Sequence, residues 1–205
     1  MADLPDTVEV KRLFKDTRVL VADIETTGFN FDKDFIIELG IVEFIDGELL
    51  RENSALFGGG SSPESALAVH RITDESRAGR ETFMQRAAHF KEYAEYRNGN
   101  RPTIWVGHNI LDFDMPFLLA ATRRGGCQVT AEGGSLNIVD TLALAKRYLK
   151  APNNRLGTLC STFGITYGEH RAGGDAMSTW QLLLAIMRLA KTQHINELVT
   201  KRKLS

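Results

Sequence analysis

The stretch from Arg18 to Gly28, RVLVADIETTG, restricts the possible folds more than any other part of the chain. Val19, Leu20, Val21, Ala22 and Ile24 make an apolar run of strand length that Gly28 closes, the pattern of a buried strand entering a tight turn. Asp23 and Glu25 interrupt that run. Strand side chains alternate between faces, so the two carboxylates share one face about 7 Å apart. Like charges on a half-buried surface repel and are poorly hydrated. No Lys or Arg lies between Val19 and Phe31, so the readiest neutraliser is a divalent cation, and all-oxygen ligation points to Mg²⁺ or Mn²⁺. The plainer alternative is a solvated edge strand. The flanking apolar residues argue against it, as does Thr26-Thr27-Gly28, which puts two hydroxyls and a flexible turn directly after the acids.

The 205 residues are enough for one domain with a full core. We expect an N-terminal arm over 1–17, a main domain over 18–192 and a C-terminal helix or basic tail over 193–205. A net charge of −1 gives no global positive field, so any polyanion must be held by a local patch or by metal. Cys127 and Cys160 have no metal-binding spacing and read as reduced packing residues, which suits a reducing compartment. The segment MADLPDTVEV lacks an apolar signal core, and no stretch is long enough to span a bilayer. The expected location is cytoplasmic, a reading that leaves nucleus or nucleoid open, and no membrane partner is expected.

The periodicity predicts three strands first: Arg18 onward, Phe35–Ile45, and Glu48–Phe57 after an Asp46-Gly47 hairpin turn. A helical pattern over Thr82–Tyr96 follows, then a strand at Thr103–Gly107, a helix from Asp114 and a strand Leu136–Val139 ending at Asp140. Helices are then predicted over Thr141–Leu149, Leu156–Phe163 and Asp175–Leu189. The fold class is α/β: a mixed five-stranded sheet, three antiparallel strands then parallel ones, flanked by helices.

Three later acids stand at element ends. Asp114 and Asp175 open helices and Asp140 closes a strand, positions where an Asp often serves as an N-cap; for Asp140, capping of TLALAK is the leading view. Taken with Asp23 and Glu25, however, Asp114 and Asp175 supply four ligands for two metals about 4 Å apart. His170 precedes Asp175 by five residues with Ala172-Gly173-Gly174 between them. The glycines let a loop carry the imidazole over a metal site, where a neutral His can act as general base near pH 7.

Together these residues resemble the DEDDh family of 3′→5′ exonucleases, which includes the proofreading subunit of bacterial replicative polymerase and ribonuclease T. The resemblance rests on DIETTG (Asp23 to Gly28), HNILDFDMPFL (His108 to Leu118), IVDTLALAKR (Ile138 to Arg147) and HRAGGDA (His170 to Ala176), in order, and spans about Arg18 to Ala190. It implies a ribonuclease H-like fold, two Mg²⁺ or Mn²⁺ ions, and release of nucleoside 5′-monophosphates from nucleic acid with a free 3′ end, DNA or RNA, single-stranded or frayed. Carried over residue by residue, Asp23, Glu25, Asp114 and Asp175 are metal ligands and His170 the base. Thr26, Thr27, Phe29 and Phe113 are similar to positions that hold the terminal nucleotide, and Asn109 shapes the second motif. Two departures stand out. One extra residue separates HN from FD, so Asp112 competes with Asp114; FDMPFL keeps Asp114 in frame. Arg71 replaces a glycine after His70, so His70 is either a nucleotide contact or a buried structural histidine. A homodimer or a polymerase partner is compatible with the family. The alternative readings are a catalytically vestigial, polymerase-associated or nucleic-acid-binding subunit of the same fold, and another two-metal phosphoesterase acting on nucleotides.

Overall fold

The computed structural model describes residues 4–96, 98–168 and 170–204, apart from the Glu132 side chain. Its strands are β1 (Arg18–Thr26), β2 (Ile36–Ile45), β3 (Glu48–Leu56), β4 (Thr103–Gly107), β5 (Ser135–Asp140) and β6 (Thr200–Lys203). Its α-helices are α1 (Thr7–Leu13), α2 (Glu64–His70), α3 (Ala87–Glu95), α4 (Asp114–Arg124), α5 (Thr141–Tyr148), α6 (Leu156–Phe163) and α7 (Ala172–Leu189). The strands form one sheet in the order β3-β2-β1-β4-β5-β6. β1, β4 and β5 run parallel, while β2, β3 and β6 pair antiparallel with their neighbours.

The expected α/β class is present, but the sheet has six strands. The segment read as a helix or basic tail instead makes a short 3₁₀ turn at Ile195–Leu198 and then β6, whose mostly exposed basic side chains hide a strand held by backbone pairing to β5. The N-terminal arm is likewise built in: Val10 and Leu13 of α1 and the adjacent Phe14 lie in the core. The Thr82–Tyr96 pattern divides into a 3₁₀ turn at Met84–Arg86 and α3.

Alternation along β1 sorts its side chains into two cores. Val19 and Val21 face a cluster built with α1, α5, α6 and α7, whereas Leu20, Ala22 and Ile24 face one built with α3 and α4. Asp23 and Glu25 continue the Val19–Val21 side, so they point toward α7. On β2 the register partners of these acids are Gly40 and Glu38, respectively. A β-carbon built on Gly40 would overlap the Ala172 carbonyl and the Gly173 nitrogen. The glycine therefore lets the first turn of α7 rest directly on the sheet beside Asp23.

At the other end of β1 the fully buried Arg18 side chain donates from Nε to Glu43 Oε1 at 2.6 Å and from its terminal nitrogens to the Tyr96 and Tyr93 carbonyls at 2.9 and 3.2 Å. Glu43 Oε2 also accepts from Tyr93 Oη at 2.8 Å and pairs with Arg51 at 3.2 Å. This network ties the end of α3 to the sheet. Removing one member of a buried pair strands the other charge, so Arg18→Met is expected to lower stability by about 3 kcal/mol. The Arg18→Met/Glu43→Leu pair should recover part of that loss. Urea unfolding midpoints measure both, and an unchanged midpoint for Arg18→Met would mean the pair is not stabilising.

Candidate active site

Three elements bring the acids together at the carboxyl ends of the parallel strands, where open α/β sheets form their binding crevice. β1 supplies Asp23 and Glu25, the start of α4 supplies Asp114, and the first turn of α7 supplies Asp175. All four line one open cleft, with His170, Tyr167, Phe29, Phe113, His108, Asn109, Lys146 and residues 153–158. Neither Asp114 nor Asp175 is an N-cap. The cap positions are Phe113 and Arg171, which make no side-chain capping bond. Asp114 instead accepts from Ile24 N at 3.1 Å, fixing α4 to β1 between the two strand acids. Asp112 is exposed and does not line the cleft.

Asp140 is the cap predicted for α5, accepting from Leu142 N at 2.9 Å and Ala143 N at 3.4 Å. It also accepts from Asn109 N and Leu111 N at 3.0 and 3.2 Å, so it shapes the turn that delivers Asp114. Asn109 sits in the left-handed region at φ 71° within that turn. His108 bridges Thr141 Oγ1 and the Asn154 carbonyl, both at 2.9 Å, and so clamps the loop before α6 against the second-motif turn.

The electrostatics fit a cation. Burial, reinforced by Asp114 and Asp175, holds the Asp23 carboxyl well above its ordinary range. Burial and then the Asp175 charge push Glu25 up to about 8. Burial raises Asp114 to about 7 and Asp175 to about 6, the latter tempered by hydrogen bonds from the His170 backbone and the Tyr167 side chain. Asp175 Oδ1 is buried without a hydrogen-bond partner. Ligand atoms of Glu25, His170 and Asp175 lie within 4.8 Å of one another. A set of hard oxygen donors that repel each other, with one orphaned oxygen, is the donor chemistry that suits a divalent cation.

Several residues read as substrate contacts lie elsewhere. Thr26 and Thr27 do not line the cleft: the Thr26 hydroxyl donates to the Gly28 carbonyl at 2.6 Å, and Thr27 Oγ1 accepts from Phe35 N at 3.0 Å, so both serve the turn itself. His70 is buried, with Nδ1 accepting from Ile72 N at 3.0 Å, and lines a separate pocket with Arg71 and Arg171. Phe29 and Phe113 do line the cleft. Phe29 is 90% exposed, with its ring 6.2 Å from that of Phe113. Among basic residues, Arg155 is on the cleft wall, whereas Arg124 donates to the Asp32 and Asp34 carbonyls and braces the loop that carries Phe29. Tyr167 and Asn154 belong to the cleft but carried no signal in the sequence, whereas Lys146 lies within the IVDTLALAKR motif without a role of its own there.

Comparison with known proteins gives one family model, RNase_T, described as exonuclease, over residues 20–183. A DNA polymerase III PolC-type protein of Listeria monocytogenes is 34% identical over 184 residues, covering 88% of this chain and 12% of that protein. The DNA polymerase III subunit epsilon of Haemophilus influenzae is 31% identical over 164 residues, covering 77% of this chain and 61% of the relative. The chain therefore spans only part of the length of these relatives. Among solved structures, E. coli Exonuclease I in complex with a dT13 oligonucleotide superposes with a TM-score of 0.71 at 18% identity, over 86% of this chain and 41% of that one. At that identity the likeness speaks to the fold.

Proposed function

Because the chain belongs to the RNase_T exonuclease family, we propose that it is a metal-dependent 3′→5′ exonuclease that releases nucleoside 5′-monophosphates from the 3′ end of DNA. The observation that carries this reading is the convergence of Glu25, His170 and Asp175 ligand atoms within 4.8 Å, in a cleft that Asp23 and Asp114 also line. Relatives named for DNA polymerase III support DNA as the substrate and a replicative polymerase as the setting in which such a unit works.

Asp23, Glu25 and Asp175 would hold one divalent ion, and Asp23 with Asp114 a second. Ions bound there would supply Lewis-acid stabilisation of charge on the phosphodiester and would lower the pKa of an attacking water. His170, exposed at the cleft edge with φ 61°, takes the proton from that water. The Tyr167 ring meets the imidazole edge-on at 5.7 Å and limits its swing. Phe29 and Phe113 offer ring faces to the terminal base, a contact that tolerates any base and is worth about 1–3 kcal/mol.

His170→Ala is expected to cut turnover about 10²–10⁴-fold while Mn²⁺ binding persists through the carboxylates. A 5′-labelled single strand reads this out: wild type shortens it stepwise from the 3′ end. Undiminished turnover by His170→Ala would remove the imidazole from the chemistry.

A further inference from the structure

Beside the cleft, on β2, stands a fifth acid with a different task. Glu38 lies on β2 directly across from Glu25 and on the same face. Two carboxylates opposed across a strand pair repel, yet Glu38 is only 1% exposed. Its oxygens are fully engaged. Arg171 Nε and Nη2 reach Oε1 at 3.3 and 3.0 Å, Ser54 Oγ donates to Oε1 at 3.0 Å, and the Ala172 backbone N–H donates to Oε2 at 3.1 Å. Arg171 Nε also stands 3.3 Å from Oε2, so the guanidinium spans both oxygens. A carboxylate so occupied has no lone pair facing a cation in the cleft, and Glu38 does not line that cleft.

Glu38 holds the two residues that immediately follow His170. Arg171 is the N-cap of α7 and Ala172 its first residue, while Asp175 stands in the same first turn. His170 itself is a non-glycine residue in the left-handed region, a conformation that persists only when its surroundings impose it. The Glu38 grip on both sides of the 171–172 peptide supplies that constraint from the sheet.

We propose that Glu38, acting through Arg171 and the Ala172 amide, is a positioning residue that sets the imidazole of His170 for proton transfer and is not itself a metal ligand. This rests on the reading of His170 as general base. Glu38→Gln keeps a carbonyl oxygen for the Ala172 N–H but removes the charge that orients Arg171. A misplaced reacting group typically loses about 10²-fold in rate, so kcat should fall about 10- to 100-fold with KM for a single-stranded oligonucleotide changed less than about twofold.

The deciding experiment is a double-mutant cycle with Mn²⁺ binding measured alongside by electron paramagnetic resonance. Glu38→Gln/His170→Ala should turn over no more slowly than His170→Ala alone, because the positioned group is already gone. Mn²⁺ affinity of Glu38→Gln should match wild type. Arg171→Met, at a largely exposed side chain, should reproduce the kcat loss and decides the matter if Glu38→Gln does not fold. Losses that multiply in the double variant, or weakened Mn²⁺ binding by Glu38→Gln, would overturn the proposal. If His170→Ala alone leaves turnover intact, the general-base reading fails first, and that outcome is separate from wild-type kcat in Glu38→Gln beside an impaired His170→Ala, which defeats the positioning role alone.

Discussion

Asp23→Asn is expected to abolish nuclease activity and, at pH 8 without divalent metal, to raise the melting temperature. On the proposed function the acids of the cleft await a cation, and without one their mutual repulsion should destabilise the fold. Asp23 is raised well above its ordinary range by burial first and then by Asp114, Asp175 and Glu25, and Glu25 itself is raised to about 8. An acid whose folded-state pKa is raised binds more protons folded than unfolded, so its stabilising contribution is complete at low pH and is lost as pH climbs through the raised value. The window opens at the ordinary carboxylate range, about 4, and extends through about 8, where Glu25 loses its proton. Metal-free wild type should therefore melt progressively lower between pH 5 and pH 8. Added Mn²⁺ should raise the melting temperature far more at pH 8 than at pH 5. Neutralising Asp23 removes a central charge of the cluster, and a relief of about 2 kcal/mol corresponds to about 4–8 °C for a chain of this size. Turnover should drop by about 10³-fold or more, as expected when charge stabilisation at the reacting centre is lost. Thermal melts in EDTA at the two pH values check the stability arm, and a variant no more stable than wild type at pH 8 would show that the acids do not repel.

The second large effect is expected at a position with no chemistry of its own. Gly40→Ala puts a β-carbon onto the Ala172 carbonyl and the Gly173 nitrogen. These are backbone atoms of the first turn of α7 and cannot rotate away. The helix start must lift from β2, taking with it Asp175, His170 and the Arg171 contact to Glu38. Overpacking of this kind costs about 1–3 kcal/mol and sometimes more, so the melting temperature should fall by about 2–12 °C. The loss of activity should exceed the loss of fold: displacing reacting groups by about 1 Å is worth about 10²-fold in rate. Melting and single-turnover cleavage, measured below the melting transition, separate the two. Native turnover in Gly40→Ala would show that α7 need not seat against the sheet to place its acid.

Much of this architecture is legible in the chain because the acids that line the cleft break apolar patterns. Asp23 and Glu25 are conspicuous inside a strand that is otherwise hydrophobic, and Asp114 and Asp175 stand where helices begin. Glu38 breaks the run of β2 in the same way, and the register that sets it opposite Glu25 supplies the missing clue. Other features are invisible for definite reasons. β6 is an edge strand with mostly exposed basic side chains, so its residues look like a tail, while the backbone pairing that makes it a strand leaves no mark on composition. Gly40 is required by a helix more than 130 residues later, a condition no local pattern carries. Thr26 and Thr27 have the right chemistry for substrate, but their hydroxyls are turned to the Gly28 carbonyl and the Phe35 amide. Tyr167, Asn154 and Arg155 reach the cleft from loops, where no periodicity says which way a side chain faces.

Everything above depends on carboxylates from one strand of the sheet and two helices gripping divalent ions at one spot. Crystals grown with Mn²⁺ and measured for anomalous scattering address that directly. The expected map has one peak among Asp23, Glu25 and Asp175 and a second between Asp23 and Asp114, with Glu38 still paired to Arg171. A map with no peak on these carboxylates, at Mn²⁺ concentrations that support cleavage in the same crystals, would contradict the account.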